Sequence, residues 1–413
     1  MIWGDPKPRK GGRGSLGPLL ALVLLASCGG GAASPTQPAQ QPGQVRAITS
    51  SDTPAASVAP TTAPAAAAAS PTAAATTQAA VRIGLMAPFS GVASGFGQDM
   101  LKGAQMALDE ANARGSSQRL ALDQGDDAAD PAAAPAVAQK LVGDGVIAVV
   151  GPATSASALA AGQAFNQAKL PAITPAANDP RITDAGLSFV FRAAGRWDQE
   201  PAVLTPAMKG KVALIADKSP YGTTLAAAMR QALGSQKPVL DETVDSGTKD
   251  FSALVAKVKD AQPDSLFYAG FAQDGGTLAK ALRDGGVQAA LFMGDGAQDQ
   301  ALITAGGSAA EGLQLAASPH PAKVPSATAF LDAFKKRYGT PASFYAVSTY
   351  DTMRLVADAY QRAGGGGDAL RQALAGSDFS GAYWGRMRFD SKGDLQAKTY
   401  VLWTVAGGKF QQV

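Results

Sequence analysis

Two residue types that carry much of enzyme and metal chemistry occur once each in this sequence, as Cys28 and His320. A single cysteine excludes an internal disulfide and a multi-thiolate metal site, and a single histidine excludes a multi-histidine one. Histidine is also the commonest general base, so one copy leaves few routes to acid–base or Ser-His-Asp catalysis. We therefore expect no catalytic residues, no metal and no cofactor, although enzymes that use carboxylates or lysine stay open as a less favoured class.

Residues suited to ligand binding follow the predicted strands. The loops there are rich in small and aromatic residues, which predicts a cleft with a polar floor and aromatic walls beyond the strand ends. In one of them Ser155 opens a predicted helix, whose free N–H groups and dipole favour an anion, although serine is also a common helix cap. The loops are 90–97, 151–155, 174–178, 219–221, 270–273 and 294–295.

The elements that must position these loops alternate along the chain in two series. Apolar runs predict strands at 81–86, 120–122, 146–150 and 171–174, then at 212–216, 239–243, 266–269 and 291–293. Helical patterns lie between them at 100–111, 130–141, 155–167, 223–233, 251–258 and 277–282, with Asp130 and Asp250 as predicted caps. Helices at 329–338, 347–363 and 369–374 and late strands at 386–389 and 399–404 follow. Such alternation predicts an α/β fold with two doubly wound parallel-sheet lobes.

The N-terminal 80 residues have a different composition. Four basic residues precede an apolar run from Leu16 to Ala26, which is too short to span a bilayer and is typical of a signal peptide. The following Ser27-Cys28 resembles a bacterial lipobox, and the alternative is an ordinary signal peptide with an incidental cysteine. Residues 1–28 are therefore the expected lipoprotein signal, and 29–80, rich in Ala, Pro and Thr, a disordered tether. The expected location is extracytoplasmic, with lipidated Cys28 anchoring the protein to a membrane.

The formal net charge is +3 and no block of like charges follows residue 81. Nucleic-acid binding needs a clustered basic face, so no nucleic-acid partner is expected.

Short motifs in a fixed order resemble the type I periplasmic solute-binding proteins of the Leu/Ile/Val-binding family over 81–413. The resemblance implies two lobes joined by three crossovers near 193–195, Pro319 and 386–388, with 81–194 plus 319–386 as lobe 1 and 195–318 plus 387–413 as lobe 2. It also implies an amino-acid ligand, an ABC permease with ATPase subunits as partner, and a monomer. The motifs are Pro88-Phe89-Ser90-Gly91, Asp126-Asp127, Gly151-Pro152-Ala153-Thr154-Ser155, Thr174-Pro175-Ala176-Ala177, Tyr221-Gly222, Phe292-Met293-Gly294-Asp295, Tyr350-Asp351 and Gly393-Asp394-Leu395.

The same resemblance implies roles for nine residues. Ser155 matches the serine that receives the ligand's carboxylate, and Asp295 matches the acidic residue that faces its ammonium group. Ala176, through its carbonyl, and Ala177 with Asn178 match the strand-end residues that hold both ends of the ligand. Asn178 is a departure, because the family usually has a hydroxyl there. The residues that match aromatic positions around the ligand's side chain are Phe96, Tyr221, Phe271 and Tyr345.

Several alternatives stay open for these residues and for the whole chain. Asn178 and Asp295 are also compatible with plain turns, and each phenylalanine alone with core packing. The same fold could bind an amide, a urea-like solute or an aromatic carboxylate, or act as a sensory receptor. A ligand without a cationic group would leave the Asp295 carboxylate unpaired in a closed cleft, which favours a zwitterionic amino acid.

Overall fold

A computed structural model describes residues 80–91, 93–115 and 118–413 of the chain. The predicted signal peptide with Cys28 and the tether up to residue 79 lie outside the described residues. In the part that is described, no helix has the length and apolar character needed to cross a membrane.

The first series of elements builds a five-stranded parallel sheet with the strand order β2-β1-β3-β4-β5. Side chains of β1 alternate between its two faces: Ile83 and Leu85 join one core, and Met86 joins another. Both faces are therefore covered by helices, as parallel sheets require. The strands are β1 (Val81–Ala87), β2 (Leu120–Asp126), β3 (Val149–Val150), β4 (Ala172–Thr174) and β5 (Val190–Arg192), and the helices α1 (Ser94–Ala113), α2 (Ala134–Gly143), α3 (Ser155–Gln167) and α4 (Arg181–Asp184).

The second series builds a second sheet by the same means. Ala213 and Ile215 of its central strand enter one core, while Leu214 and Ala216 enter the core on the opposite face. The elements are β6 (Val212–Asp217), β7 (Leu240–Val244), β8 (Ser265–Ala269), β9 (Ala290–Met293) and β10 (Gln314–Ala317), with α5 (Glu200–Leu204), α6 (Pro220–Leu233), α7 (Ser252–Ala261), α8 (Ala272–Asp284) and α9 (Gln300–Gly306).

The chain then returns to the first sheet before it ends in the second. Helices α10 (Thr328–Tyr338), α11 (Phe344–Ala363) and α12 (Gly367–Ala375) contribute to the same core as β1, and the short strands β11 (Phe379–Ser380) and β12 (Arg386–Met387) pair with each other. Strand β13 (Val401–Ala406) pairs antiparallel with β10, and β14 (Lys409–Gln412) pairs antiparallel with β13, giving the order β14-β13-β10-β9-β8-β6-β7. We call the first sheet with its helices lobe 1 and the second sheet with its helices lobe 2. These two sheets, each with its own helices, confirm the predicted two-lobe α/β fold.

The chain passes between the lobes three times. Ala194 and Trp197 belong to different cores, as do Ala317 and Ala327. The third passage lies after Leu395, because Phe389 and Leu395 pair with each other and pack in lobe 1. It therefore comes later than the predicted position at 386–388.

Some element boundaries differ from the sequence prediction for local reasons. Helix α2 begins at Ala134 rather than after Asp130, because Asp130 instead accepts the N–H of Ala132 in a turn that contains Pro131. Strands β5, β10 and β14 were not predicted. They are three or four residues long, too short to show a period.

Candidate functional site

Asp295 follows β9 directly, at the edge of the lobe 2 sheet that faces lobe 1. One oxygen of its carboxylate accepts the Tyr221 hydroxyl at 3.0 Å, and the other accepts the Asn178 amide at 2.6 Å. The Asn178 bond crosses between the lobes, since Asn178 follows β4 in lobe 1. Burial raises the pKa of Asp295, and its hydrogen bonds oppose that shift. This carboxylate is thus an acceptor at the lobe interface.

A second carboxyl group lies beside the first. Glu200, at the start of α5, is fully buried, and its Oε2 accepts the backbone N–H of Asp295 at 2.9 Å. Within the described residues its other oxygen, Oε1, has no hydrogen-bond partner. The sequence analysis missed Glu200, because nothing in the local sequence shows that it meets a loop 95 residues away.

Ser155 is the first residue of α3, and its hydroxyl is tied to the loop after β4. It accepts the backbone N–H groups of Asn178 and Asp179, each at 3.3 Å. The helix cap is the preceding Thr154, whose side chain accepts the N–H of Ser157 at 3.4 Å, so the capping role considered for Ser155 belongs to its neighbour. The first N–H groups of α3 have no acceptor inside the helix and leave a positive helix end here.

Ala176 and Ala177 occupy the same loop but differ in access. Ala176 lines the cavity described below, whereas Ala177 is buried and donates its N–H to the Thr174 hydroxyl at 2.9 Å. The Thr174 hydroxyl in turn donates to the carbonyl of Pro152 at 2.7 Å. These bonds hold the strand-end loop against the start of α3.

The four predicted aromatic residues form two pairs. Phe96 stacks on Tyr345 with ring centroids 4.3 Å apart, and Tyr221 lies against Phe271 at 5.2 Å. Phe96 and Phe271 are 43% and 46% exposed, which is unusual for phenylalanine and contradicts simple core packing. Burial, together with the nearby Asp295 charge, raises the pKa of Tyr345 to about 12.

A cavity of about 720 Å³ lies between the lobes beside these groups. Five of the nine predicted site residues line it: Phe96, Ala176, Asn178, Asp295 and Tyr345. The other four do not line the cavity and only contact lining residues or one another, as described above: Ser155, Ala177, Tyr221 and Phe271. Further lining residues come from the passages and the C-terminal strands, and they include Gln298, His320, Phe344, Tyr400, Trp403 and Lys409.

Tyr400 lines the cavity but was not among the predicted site residues. It is buried, and burial together with the nearby Asp295 charge raises its pKa well above the ordinary value. Its position in the third passage between the lobes brings it here. A tyrosine just before a late strand was the only available signal.

No group of three or more His, Cys, Asp or Glu side chains able to hold a metal occurs among the described residues. The site instead offers a half-buried carboxylate on one lobe, a helix N-terminus on the other and aromatic rings around them. A cavity between two lobes with such a lining is that of a two-lobed binding protein for a small solute.

Comparison with known proteins identifies the family. A family model described as periplasmic binding protein matches residues 80–409, so the chain belongs to that family, whose members are extracytoplasmic binding proteins. A Leu/Ile/Val-binding protein of Rhizobium johnstonii is 32% identical over 343 residues, covering 80% of this chain and 93% of that relative. An amino acid binding protein of Pseudomonas aeruginosa is 33% identical, with 81% and 93% coverage.

Solved structures agree with this assignment. An ABC transporter substrate-binding protein from Desulfitobacterium hafniense in complex with leucine superimposes with a TM-score of 0.69 at 28% identity. The match covers 81% of this chain and 100% of that structure.

Proposed function

We propose that this chain is the extracytoplasmic binding component of an ABC importer for an amino acid with an apolar side chain. The observation that carries the proposal is the Asp295 carboxylate, which lines the cavity between the lobes and forms no ion pair with another described residue. A half-buried carboxylate that closure of the lobes would bury without a cationic partner is costly, and an ammonium group of the ligand would supply that partner.

The carboxylate of the ligand is assigned to the start of α3 and the loop after β4. Ser155 and Ala177 with Asn178 are proposed to hold this end, with Ser155 and the loop already joined by hydrogen bonds, while the carbonyl of Ala176 is proposed to accept from the ammonium group. The positive end of a helix favours an anion there. A zwitterion would then bridge the lobes, and hinge closure would be coupled to binding.

The side chain of the ligand is assigned to the aromatic walls. Phe96, Tyr221, Phe271 and Tyr345 are proposed to contact it, and the exposure of the two phenylalanines leaves apolar surface for a ligand to cover. The relatives point to aliphatic side chains, since one is named for Leu, Ile and Val and a solved neighbour holds leucine.

Attachment to the membrane is a further part of the proposal. We propose that Cys28 is the acylated N-terminus of the mature protein, that 29–80 serve as its tether, and that the protein delivers its ligand to the permease as a monomer. Support comes from the sequence pattern alone.

Asp295→Ala tests the proposed ligand contact. We expect leucine to bind the wild type and its affinity to fall by roughly tenfold or more in the variant, the loss of one charge-assisted hydrogen bond. Isothermal titration calorimetry measures the change, and thermal unfolding checks that the variant is folded.

Asp299→Asn is the matched control, because Asp299 lines the same cavity. It removes one negative charge but keeps a side chain that can cap α9, where Asp299 accepts the N–H of Ala301. Its affinity for leucine should stay within about twofold of the wild type. Unchanged affinity in Asp295→Ala, or binding of uncharged solutes only, would contradict the assignment.

A further inference from the structure

Glu200 has no role in the binding scheme above, yet it is among the most deeply buried charged residues of the chain. None of its surface is exposed. It begins α5 and is followed by Pro201, which places it on a short, fixed turn of helix. A carboxyl group in such a position requires partners, because burying an unpaired charge is costly.

The partners of Glu200 all belong to the cation end of the proposed site. Its Oε2 accepts the backbone N–H of Asp295 at 2.9 Å, and its side chain also hydrogen-bonds with the Asp295 carboxyl group. Tyr221, which donates to Asp295, also lies within electrostatic reach of Glu200. Glu200 therefore contacts both the backbone and the side chain of the residue proposed to receive the ligand.

The titratable groups that face this pair are all acids. They are the carboxylate of Asp198 from the segment before α5 and the neutral hydroxyl groups of Tyr221 from α6, Tyr345 from α11 and Tyr400 from the passage before β13, whose pKa values are raised. Neither Glu200 nor Asp295 forms an ion pair with Lys, Arg or His in the described part of the chain. Two adjacent carboxylates without a cation cannot both stay ionised at low cost, so one of them holds a proton.

The environment decides which one is protonated. Burial and the Asp295 charge raise the pKa of Glu200 well above its ordinary value. Burial also raises the pKa of Asp295, but its hydrogen bonds, that from Glu200 first among them, oppose the shift. The unpartnered Oε1 of Glu200 agrees with a neutral acid, because an ionised oxygen would need a donor. Asp295 also has donors from Tyr221 and Asn178, which stabilise its charge.

We propose that Glu200 is a positioning residue for Asp295: as a neutral carboxylic acid it donates to the Asp295 carboxylate and accepts the Asp295 N–H, and so keeps the ligand's cation acceptor ionised and aimed into the cleft. This inference rests on the proposed function, in which Asp295 receives the ammonium group. The binding end of the cleft then carries a single negative charge, which matches a ligand group with a single positive charge.

Two substitutions separate this role from a structural one. Glu200→Gln retains an acceptor for the Asp295 N–H and a donor for its carboxylate but cannot ionise, whereas Glu200→Leu has neither. Leucine affinity is measured by calorimetry from about pH 4 to about pH 9, a range that spans the ordinary and raised pKa values of carboxyl groups. Binding requires ionised Asp295, so affinity falls as pH falls through the pKa of Asp295 in the free protein.

We expect the leucine affinity of Glu200→Gln to be within about threefold of that of the wild type. Its affinity should fall at the same acid pH as in the wild type. Glu200→Leu should bind about tenfold more weakly at neutral pH, and its acid loss should begin at higher pH, because Asp295 has lost a donor. If Glu200→Gln loses binding as fully as Glu200→Leu, the charge of Glu200 is needed and the proposal is wrong. The proposal would also be wrong if the leucine affinity of Glu200→Leu falls at the same acid pH as that of the wild type.

A second measurement applies even if Glu200→Leu does not fold or the wild type does not bind leucine. A neutral Glu200 binds a proton in the folded state that it loses in the unfolded state above about pH 4.3. The stability of the wild type should therefore fall relative to that of Glu200→Gln as pH rises from that value, measured by urea unfolding. Parallel pH profiles would overturn the neutral state of Glu200, whereas absent leucine binding alone would count against the proposed function.

Discussion

At the scale of single residues, Asn178 is the side chain whose type matters most. The sequence marks it as a departure from the hydroxyl usual in the family it resembles. In the structure its amide donates to Asp295 across the lobes at 2.6 Å. A threonine hydroxyl is shorter than this amide, so the cross-lobe bond depends on asparagine. An ammonium group that binds Asp295 must therefore share this carboxylate with the Asn178 amide or displace the amide from it.

Asn178→Ala should open the unliganded protein. Removing a hydrogen bond to a charged group costs about 1.5–3 kcal/mol, which shifts the closed-to-open ratio by about tenfold or more. Small-angle X-ray scattering should therefore give a larger radius of gyration for the unliganded variant than for the wild type. Gln361→Ala, which removes an exposed amide from α11, is the control and should leave the radius unchanged. Equal radii for Asn178→Ala and the wild type would show that the bond does not hold the lobes together.

Prediction of the site residues from sequence was uneven for a physical reason. Asp295, Ser155 and Asn178 follow strands, and a strand end is visible in the sequence as an apolar run that stops. Glu200 and Tyr400 reach the same place through a passage between the lobes. Contacts across 95 residues leave no local pattern, so only the fold reveals them.

At the scale of elements, α11 organises the passages between the lobes. Its buried Asp351 accepts three backbone N–H groups of the loop after β11, those of Ala382, Tyr383 and Trp384, at 2.7–3.0 Å. Tyr383 then donates its hydroxyl to the carbonyl of Pro319 in the second passage at 2.6 Å. One carboxylate thus fixes the loop that contacts the second passage between the lobes. Tyr350-Asp351 is a motif in the sequence, but the partners of Asp351 became visible only in the fold.

Asp351→Asn should destabilise the protein by about 3 kcal/mol, because an amide nitrogen replaces an acceptor and leaves buried N–H groups unpaired. Urea unfolding followed by circular dichroism measures the change. Asp358→Asn on the same helix is the matched control: Asp358 is half exposed and pairs with Arg362, so the cost should stay below about 0.5 kcal/mol. Similar losses in the two variants would contradict the anchoring role of Asp351.

Helix and strand positions were predictable where an element is long and amphipathic. Helix α3 was predicted at 155–167 and is found at Ser155–Gln167. Helix α8 begins at Ala272, five residues before the predicted start. The prediction began too late because the first residues of the helix include Gly275 and Gly276. In the structure these glycines pack against Met293 and Leu302. Glycine lowers helix propensity, and tight packing of this face overrides that preference.

At the scale of the whole molecule, buried charges join the last segment of the chain to lobe 1. Arg192 has no exposed surface, and its guanidinium donates to Asp394 at 2.8 Å and to the carbonyl of Asp179 at 2.6 Å. Arg196, just after the first passage, donates to the second oxygen of Asp394 at 2.7 Å. The first and third passages are therefore linked by one carboxylate.

Membrane attachment is also a property of the whole molecule. Cys28→Ser should move the protein from the membrane fraction to the soluble fraction, because each buried methylene of an acyl chain contributes about 0.8 kcal/mol and several chains would be lost. Cell fractionation with immunoblotting measures the distribution, and Ser34→Ala, six residues further on, is the control. Retention of Cys28→Ser on the membrane would exclude acylation of this cysteine as the anchor.

The sequence alone determined the two α/β lobes and most strand and helix positions. These follow from hydrophobic periodicity and from where it stops, and both are local properties of the chain. The roles proposed for Ser155, Asn178 and Asp295 come from the resemblance to the Leu/Ile/Val-binding family. Only the tertiary structure decided that Glu200 meets Asp295, that Tyr400 faces the cavity, that the third passage follows Leu395 and that Asn178 bridges the lobes. Each of these depends on residues far apart in the chain, and the packing of the two lobes, which no local pattern encodes, brings them together.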